Sequence, residues 1–526
     1  VRLGIDFGTT KTVVAVCDRG NYPVLRFDGP DGTSLDGVPT LVAARGSELR
    51  FGLDALAVAN ERGFTLLRSF KRLLAGATLD HEIAIGESRH PASTILEGFL
   101  AHLRRAIRES SNLPRHLRKK ASAASAPRTV VAVPAHAHGV QRFLTLEAFR
   151  RAGFDVIAIL AEPSAAGFEF THAHRTTLSG KRTHVVVYDL GGGTFDASLV
   201  RVSDLRHDAV VTAGDARLGG DDFDEILVSM VAREAGLDLE RLSAGARTRL
   251  AEACREGKER LHANSRRVIV ELEGVDDTIE GRAVALSTAE YFAACTPLVE
   301  RTIEVMMPVV LRAGLDSSAP DEKTAFEDVA GIYVVGGASA LPIVGRHLRE
   351  RFGRRVHRSA YPTAATAVGL AIAADDEAGF EIGDRFSRTF GVFREAHAGR
   401  DVAFDVIFDR DTPLPNATER PLRVERRYRV AHDLGHYRYV ECTATDRAGA
   451  PTGDLSLFAE VRFPFVAELQ RGDDLARAGV RRLPELGPSV REVYELDAHG
   501  LVRLSIEDES TGHRRTFELR GGAAKS

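Results

Sequence analysis

The chain has 526 residues, 44% hydrophobic and 27% charged, with 70 basic against 74 acidic side chains and a net charge of −4. That length is too great for one core and implies about two to four domains. The balanced charge gives no reason to expect nucleic acid or an anionic membrane as partner, and no apolar run of about 18 residues exists to form a spanning helix.

In chain order, residues 1–5 and 12–16 are β-rich runs joined by a Gly-Thr-Thr turn. Because residues 1–6 already read as a strand, no charged-then-apolar leader is expected. Helical patterns follow at 53–60 and 93–109, where Ile95, Phe99, Leu103 and Ile107 recur at a four-residue interval. A basic Ala/Ser-rich loop, 112–127, leads into a strand at 129–133, and a polar loop, 172–183, into one at 184–188. An apolar strand at 332–335 meets Gly336-Gly337 and then a helical pattern at 341–352. After Asp375-Asp376-Glu377 the helical periodicity stops, and short β-like runs such as 402–408 and 437–441 alternate with Gly, Pro, Asn and Asp. A domain boundary is expected near 375–386. The cysteines (Cys17, Cys254, Cys295, Cys442) are scattered without a C-x-x-C pair and read as the reduced thiols of a cytoplasmic protein.

A weak internal repeat carries most of the functional information. Gly4-Ile5-Asp6-Phe7-Gly8-Thr9-Thr10 is echoed by Val187-Tyr188-Asp189-Leu190-Gly191-Gly192-Gly193-Thr194. Each copy ends a strand on an aspartate, turns through Gly and Thr, and re-enters a β-like run. Two such halves facing one another would bring both aspartates and both turns to one cleft. Tight Gly/Thr turns expose N–H groups and hydroxyls that cradle phosphate oxygens. This is not the phosphate loop ending in Gly-Lys-Ser/Thr, because no helix follows the turn. Asp6 and Asp189 suit Mg²⁺, which keeps several waters and uses few carboxylates directly. Gly336-Gly337 would let a nucleoside approach the backbone, although a plain strand-to-helix turn also wants glycine. Only eight of the 70 basic residues are lysines. Lys71 could reach a terminal phosphate and offset developing charge, or could simply end a solvated helix beside its arginine neighbours.

These motifs, together with Phe70-Lys71-Arg72-Leu73, residues 131–134, Ala161-Glu162-Pro163-Ser164-Ala165-Ala166, Gly214-Asp215 and Leu218-Gly219-Gly220-Asp221-Asp222-Phe223-Asp224, resemble those of DnaK-type 70-kilodalton heat-shock chaperones in order and spacing, over nearly all of 1–374. The resemblance implies an α/β actin-like ATPase, two ribonuclease-H-like halves around a nucleotide cleft, with a β-sandwich behind it. It makes 1–375 the ATPase, 376–386 a linker and 387–526 a peptide-binding-like module. By the same correspondence Asp6, Glu162 and Asp189 hold Mg²⁺, largely through water. Lys71, Glu162, Asp189, Thr194 and Asp196 serve hydrolysis, Asp196 near the attacking water. Gly8, Thr9, Thr10, Lys11, Gly191, Gly192, Gly193, Thr194, Gly219, Gly220, Lys258, Gly336, Gly337 and Ala338 contact ATP or ADP. Pro134 and Arg142 resemble residues that relay nucleotide state to the next domain, while Asp222 and Asp224 are expected to stabilise a loop. More faintly, Phe390-Gly391-Val392, Asp411-Thr412-Pro413-Leu414-Pro415 and residues 490–519 resemble strands of the family's peptide-binding sandwich, which grips extended peptide by main-chain hydrogen bonds and an apolar pocket.

Three departures stand out. In the adenosine clamp Arg255 replaces a usual glutamate, Ala340 an arginine and Thr363 an aspartate, which puts base selectivity in question. The linker lacks consecutive leucines, since Glu381, Gly383 and Asp384 interrupt Phe380, Ile382 and Phe386. The chain ends about ten residues beyond the last expected strand, so a divergent, bacterial-type member without helical lid is expected. The reading is therefore an ATP-hydrolysing, cytoplasmic protein-folding chaperone that binds unfolded or partner peptides, with J-domain and nucleotide-exchange proteins as candidate helpers. A small-molecule kinase on the same fold, or a regulatory binder that holds nucleotide without turnover, are the alternatives.

Overall fold

The computed structural model describes residues 1–59, 61, 63–68, 70–71, 81–86, 88–120, 125–135, 137, 139–174, 182–203, 206–215, 217–275, 283–313, 329–379, 385–386, 388–410, 412–416, 419–446, 448–470, 475, 477–519 and 522–523. Residues 380–384 of the expected linker, and Asp411, lie outside them. The chain divides into two compact units, Val1–Glu162 with Leu370–Ser526, and Pro163–Gly369.

In the first unit β1 (Arg2–Phe7) and β2 (Lys11–Val16) form an antiparallel hairpin, with Asp6 opposite Val13 and Phe7 opposite Thr12. The sheet continues through β3 (Val38–Pro39) on one side and, on the other, β4 (Arg128–Val133) and β5 (Asp155–Ala161), in the order β5-β4-β1-β2-β3. Strand β1 runs parallel to β4. Leu3, Ile5, Val14, Val16, Val131 and Val133 are all buried, as expected for strands packed on both faces. The expected helices are α1 (Gly52–Ala57) and α2 (Ala92–Glu109); the latter buries Ile95, Leu96, Phe99, Leu100, Leu103 and Ile107, one apolar stripe at helical spacing. Helix α3 (Gly139–Arg151) follows β4. Rings of Phe7, Phe70 and Phe99 meet at 5.4–6.1 Å and close this core.

The second unit repeats the plan. After α4 (Glu162–Ala173) come the hairpin β6 (His184–Leu190) and β7 (Phe195–Ser203), then β8 (Arg206–Asp215). Helices α5 (Gly220–Ala235), α6 (Ala244–Glu259) and α7 (Thr288–Ala313) precede β9 (Val329–Val335), α8 (Pro342–Phe352) and β10 (Val356–Arg358). The order is β8-β7-β6-β9-β10. Here β6 is antiparallel to β7 and parallel to β9, as β1 is to β2 and β4. The sequence repeat is thus a repeat of local topology, with Asp6 and Asp189 at equivalent strand ends.

The C-terminal strands return to the first unit as two sheets. One contains β11 (Thr389–Ala396), β12 (Asp401–Phe408), β14 (Leu434–Thr445), β15 (Pro451–Pro464) and β19 (Gly522–Ala523), in the order β12-β11-β14-β15-β19. The other is β13 (Leu422–Arg429), β16 (Ser489–Leu496), β17 (Val502–Asp508) and β18 (Arg514–Glu518). Strict alternation of buried and half-buried residues along β16 marks a half-covered strand. Part of the shared core is polar. Glu492 is wholly buried and accepts hydrogen bonds from Arg394 Nη2 at 2.6 Å and from the hydroxyls of Tyr428 and Tyr494. A buried carboxylate is tolerated there because its partners are in place.

The module also packs on α3. The Gly139 N–H donates to Glu441 Oε2 at 3.1 Å, and Arg142 donates from Nε to the His499 carbonyl at 3.2 Å and from Nη2 to that of Ile159 at 3.2 Å. Val140 packs on the sandwich core and Leu501 on the core of the first half. All four cysteines are free thiols. No helix among the described residues is long and apolar enough to cross a membrane.

Candidate nucleotide site

The turn between β1 and β2 is shaped by its own backbone and braced from outside. The Gly8 N–H donates to the Asp6 carbonyl at 3.0 Å. Thr40 donates from Oγ1 to the Gly8 carbonyl at 2.9 Å and from its backbone N–H to the Thr10 carbonyl at 2.9 Å. Lys11 turns to Asp36, with Nζ 2.8 Å from both carboxylate oxygens. Thr10, at the tip, is exposed.

Lys71 follows Phe70, which is fully buried and anchors it. Its Nζ lies 3.4 Å from Glu162 Oε1 and 5.4 Å from the Phe7 ring centre. Burial at the end of β1, then the negative charge of Glu162, push the Asp6 carboxyl up to about 7, against the pull of Lys71 and Lys11. Asp6, Glu162 and Lys71, three positions far apart in sequence, are therefore one electrostatic group. Two carboxylates under mutual strain fit a divalent cation that would relieve it. Among the described residues no cluster of three or more His, Cys, Asp or Glu side chains could enclose a metal. A small cavity lined by Phe7, Lys71, Val133, Pro134 and Gln141 adjoins Lys71 on the side of α3.

In the second unit three glycine turns are packed against one another. Gly191 donates to the Thr194 carbonyl at 2.9 Å, Gly220 to the Gly191 carbonyl at 2.9 Å, and Asp221 to the Gly192 carbonyl at 2.7 Å. A Cβ on Gly219 would lie 2.6 Å from the Gly193 backbone, so glycine alone permits the approach. Gly336 has φ +88°, donates to the Pro362 carbonyl at 2.8 Å, and a Cβ there would lie 2.4 Å from Asp189 Oδ1 and from the Leu190 carbonyl. Ala338 borders Gly220, 3.3 Å from where its Cβ would be. Thr363 stands beside Gly337, its Cγ2 3.5 Å from the Cβ position. Gly192 and Thr194 are exposed, Asp189 half-buried, and Asp196 sits opposite Asp189 in the hairpin.

Lys258 lies apart from the exposed turn tips. Its Nζ sits 2.8 Å from Asp224 Oδ1 and 2.8 Å from the Gly220 carbonyl. Arg255 joins the same group, 3.3 Å from Asp224 and 3.1 Å from Asp221. Burial raises the Asp224 carboxyl in spite of both cations. Asp222 Oδ2 accepts from the Gly219 N–H at 2.7 Å and caps α5. Asp222 and Asp224 thus hold the loop and helix start.

With this geometry in view, residues 2–384 match the family described as Hsp70 protein. The chain belongs to the Hsp70 family. It is 26% identical to the chaperone protein DnaK of Thermosipho melanesiensis over 99% of this chain and 80% of the relative. It is 27% identical to the HscA chaperone homologue of Pseudomonas aeruginosa (98% and 77%) and 26% identical to DnaK of Halobacterium salinarum (100% and 76%). As an Hsp70 protein it is an ATP-dependent chaperone with an actin-like ATPase and a β-sandwich, and the kinase alternative is not favoured. Two contributors escaped the sequence reading. Thr40 braces the first turn from the position just beyond β3 with no motif to mark it, and Glu441 meets α3 from about 300 residues away.

Proposed function

We propose that this Hsp70 protein hydrolyses ATP with Lys71 as the cation that offsets charge on the terminal phosphate, and that Asp6, Glu162 and Asp189 hold Mg²⁺ mainly through water. The reading rests most on the Lys71–Glu162 pair beside Asp6, where a strained pair of acids lies within reach of one lysine. When bound, Mg²⁺ would neutralise phosphate charge. Gly8, Thr9, Thr10 and Lys11, with Gly191, Gly192, Gly193 and Thr194, would supply N–H groups and hydroxyls to the phosphates. Asp196 would orient water. Gly219, Gly220, Gly336, Gly337 and Ala338 would receive the nucleoside, with Lys258 acting through the Gly220 loop it anchors.

In this proposal residues 1–375 form the ATPase, 376–386 the linker and 387–526 the module that takes unfolded or extended peptide, with J-domain and nucleotide-exchange proteins as helpers, in the cytoplasm. Family membership supports peptides and helper proteins as partners. Phosphate release from ATP, with no acceptor present and with or without an extended apolar peptide, is the test. Release that peptide changes supports the proposal. Release only when a small acceptor is added would point to a kinase, and binding without turnover to a regulatory role.

A further inference from the structure

The run from α8 to β10 carries an unusual charge. Residues 346–358 hold six arginines (Arg346, Arg349, Arg351, Arg354, Arg355 and Arg358) against one acid, Glu350, in a chain whose net charge is −4. Five of the six are exposed, and the sixth, Arg355, is half-buried. Arg355 Nη1 is shut off from solvent without a hydrogen-bond partner among the described residues. Several arginines elsewhere sit on carboxylates, as Arg45 does on Glu48, Arg151 on Glu97 and Arg426 on Asp405, and others on carbonyls, as Arg249 does on Val275 and Arg410 on Thr443. Among the described residues, Arg346, Arg349, Arg354, Arg355 and Arg358 form no ion pair.

The same run ends on an open strand. β10 is the last strand of the order β8-β7-β6-β9-β10, paired with β9 through Val356–Ile332, His357–Tyr333 and Arg358–Val334. Its other edge has no strand partner among the described residues. An unpaired edge offers backbone donors and acceptors to another extended chain, and edge arginines reject chains of like charge. We propose that the β10 edge, with the arginines of α8 and the turn before β10, docks an extended acidic segment of a partner protein as an added strand.

Two features select this occupant. The backbone edge supplies hydrogen bonds that only a polypeptide strand can complete. Guanidinium forks match carboxylates two bonds at a time, so alternate acidic side chains of the added strand would give charge-assisted contacts and faster encounter. A nucleic acid could use the arginines but has no backbone donors and acceptors to pair with the strand edge.

The probe is a labelled peptide of about a dozen residues alternating Glu and Val, titrated against the full chain by anisotropy. Controls are the same peptide N-methylated at alternate residues, a Lys/Val version, and a short DNA duplex. The Glu/Val peptide should bind, and Arg349→Glu, Arg354→Glu and Arg358→Glu together should weaken it about tenfold or more while ATP turnover stays unchanged. N-methylation should cost as much, and added salt should weaken binding. Equal binding by the triple variant, equal binding of the N-methylated peptide, or tighter binding of the duplex would each overturn the proposal.

Discussion

The two β-hairpins that carry Asp6 and Asp189 share a topology and are held by opposite means. The first is braced by side chains and charge: Thr40 on Gly8, Lys11 on Asp36, and Asp6 in tension with Glu162 and Lys71. The second is braced by shape, with Gly219 against the Gly193 backbone and Gly336 against Asp189 and Leu190. A repeat in sequence has thus become a division of labour. Electrostatic tension can be released by a ligand, so in the proposed reading the first half is where chemistry is tuned. Contacts that admit only glycine leave no such freedom, so the second half works as a fixed mould.

If that contrast is right, removing charge from the first half should cost rate. Lys71→Ala should keep nucleotide bound but lower single-turnover hydrolysis by about 10²–10³-fold, roughly 2.7–4 kcal/mol. Unchanged hydrolysis would leave the first hairpin without a chemical role.

Adding one carbon to the second half should cost structure instead. Gly336→Ala must fit a Cβ 2.4 Å from a carboxylate oxygen and a carbonyl oxygen at φ +88°, a change worth about 1–3 kcal/mol. Hydrogen exchange should rise along β6 and β9 while β1 and β4 keep their protection. Loss spread evenly over all four strands would dissolve the contrast.

The electrostatic character of the first half extends to its seam with the β module. Burial raises the Glu441 carboxyl to about 7, with the Gly139 N–H, Arg388 and Arg142 pulling it down. Its ordinary value is 4.5, so the docked state takes up a proton. Docking is therefore strongest below about pH 4.5, weakens as pH rises, by at most about tenfold per pH unit, and levels off above about 7. His499 in the same seam is lowered by burial, so it opposes docking as pH falls through its ordinary range. Fluorescence transfer between α2 and β15 should follow this between about pH 4.5 and 7, and Glu441→Gln should remove the Glu441 part of the slope. An equal slope in the variant would assign the pH response to other groups.

The smallest effect is expected at Thr40. Thr40→Val keeps the shape but removes the hydrogen bond to the Gly8 carbonyl, about 0.5–1.5 kcal/mol. Nucleotide affinity should fall by a few-fold up to about tenfold, measured by titration calorimetry. A loss as large as that of Lys71→Ala in hydrolysis would mean that the turn depends on this brace more than on its own backbone.

What the sequence determined by itself was whatever is local. The strand–Asp–Gly–Thr hairpins, the helical stripe of α2, the strand-to-helix turn at Gly336-Gly337 and the change from helices to strands after Asp375 are set by periodicity and turn chemistry over a few residues, and all appear as elements in the fold, although the expected short run 437–441 is part of the longer strand β14. The motif order was likewise enough to place the chain among DnaK-type chaperones. Partnership was decided only by tertiary structure. Nothing in Cys254-Arg255-Glu256-Gly257-Lys258 tells that Lys258 is fastened to Asp224 and the Gly220 carbonyl, or that Arg255 shares that acid. The linear pattern at β16 alternates as any half-covered strand does, yet it buries Glu492 among an arginine and tyrosines. Glu441 reads as one more polar strand residue until α3 meets it. The physical reason is the same in each case. A charge is worth little in water and a great deal once solvent is excluded, and which charge ends up beside which is a property of the folded chain.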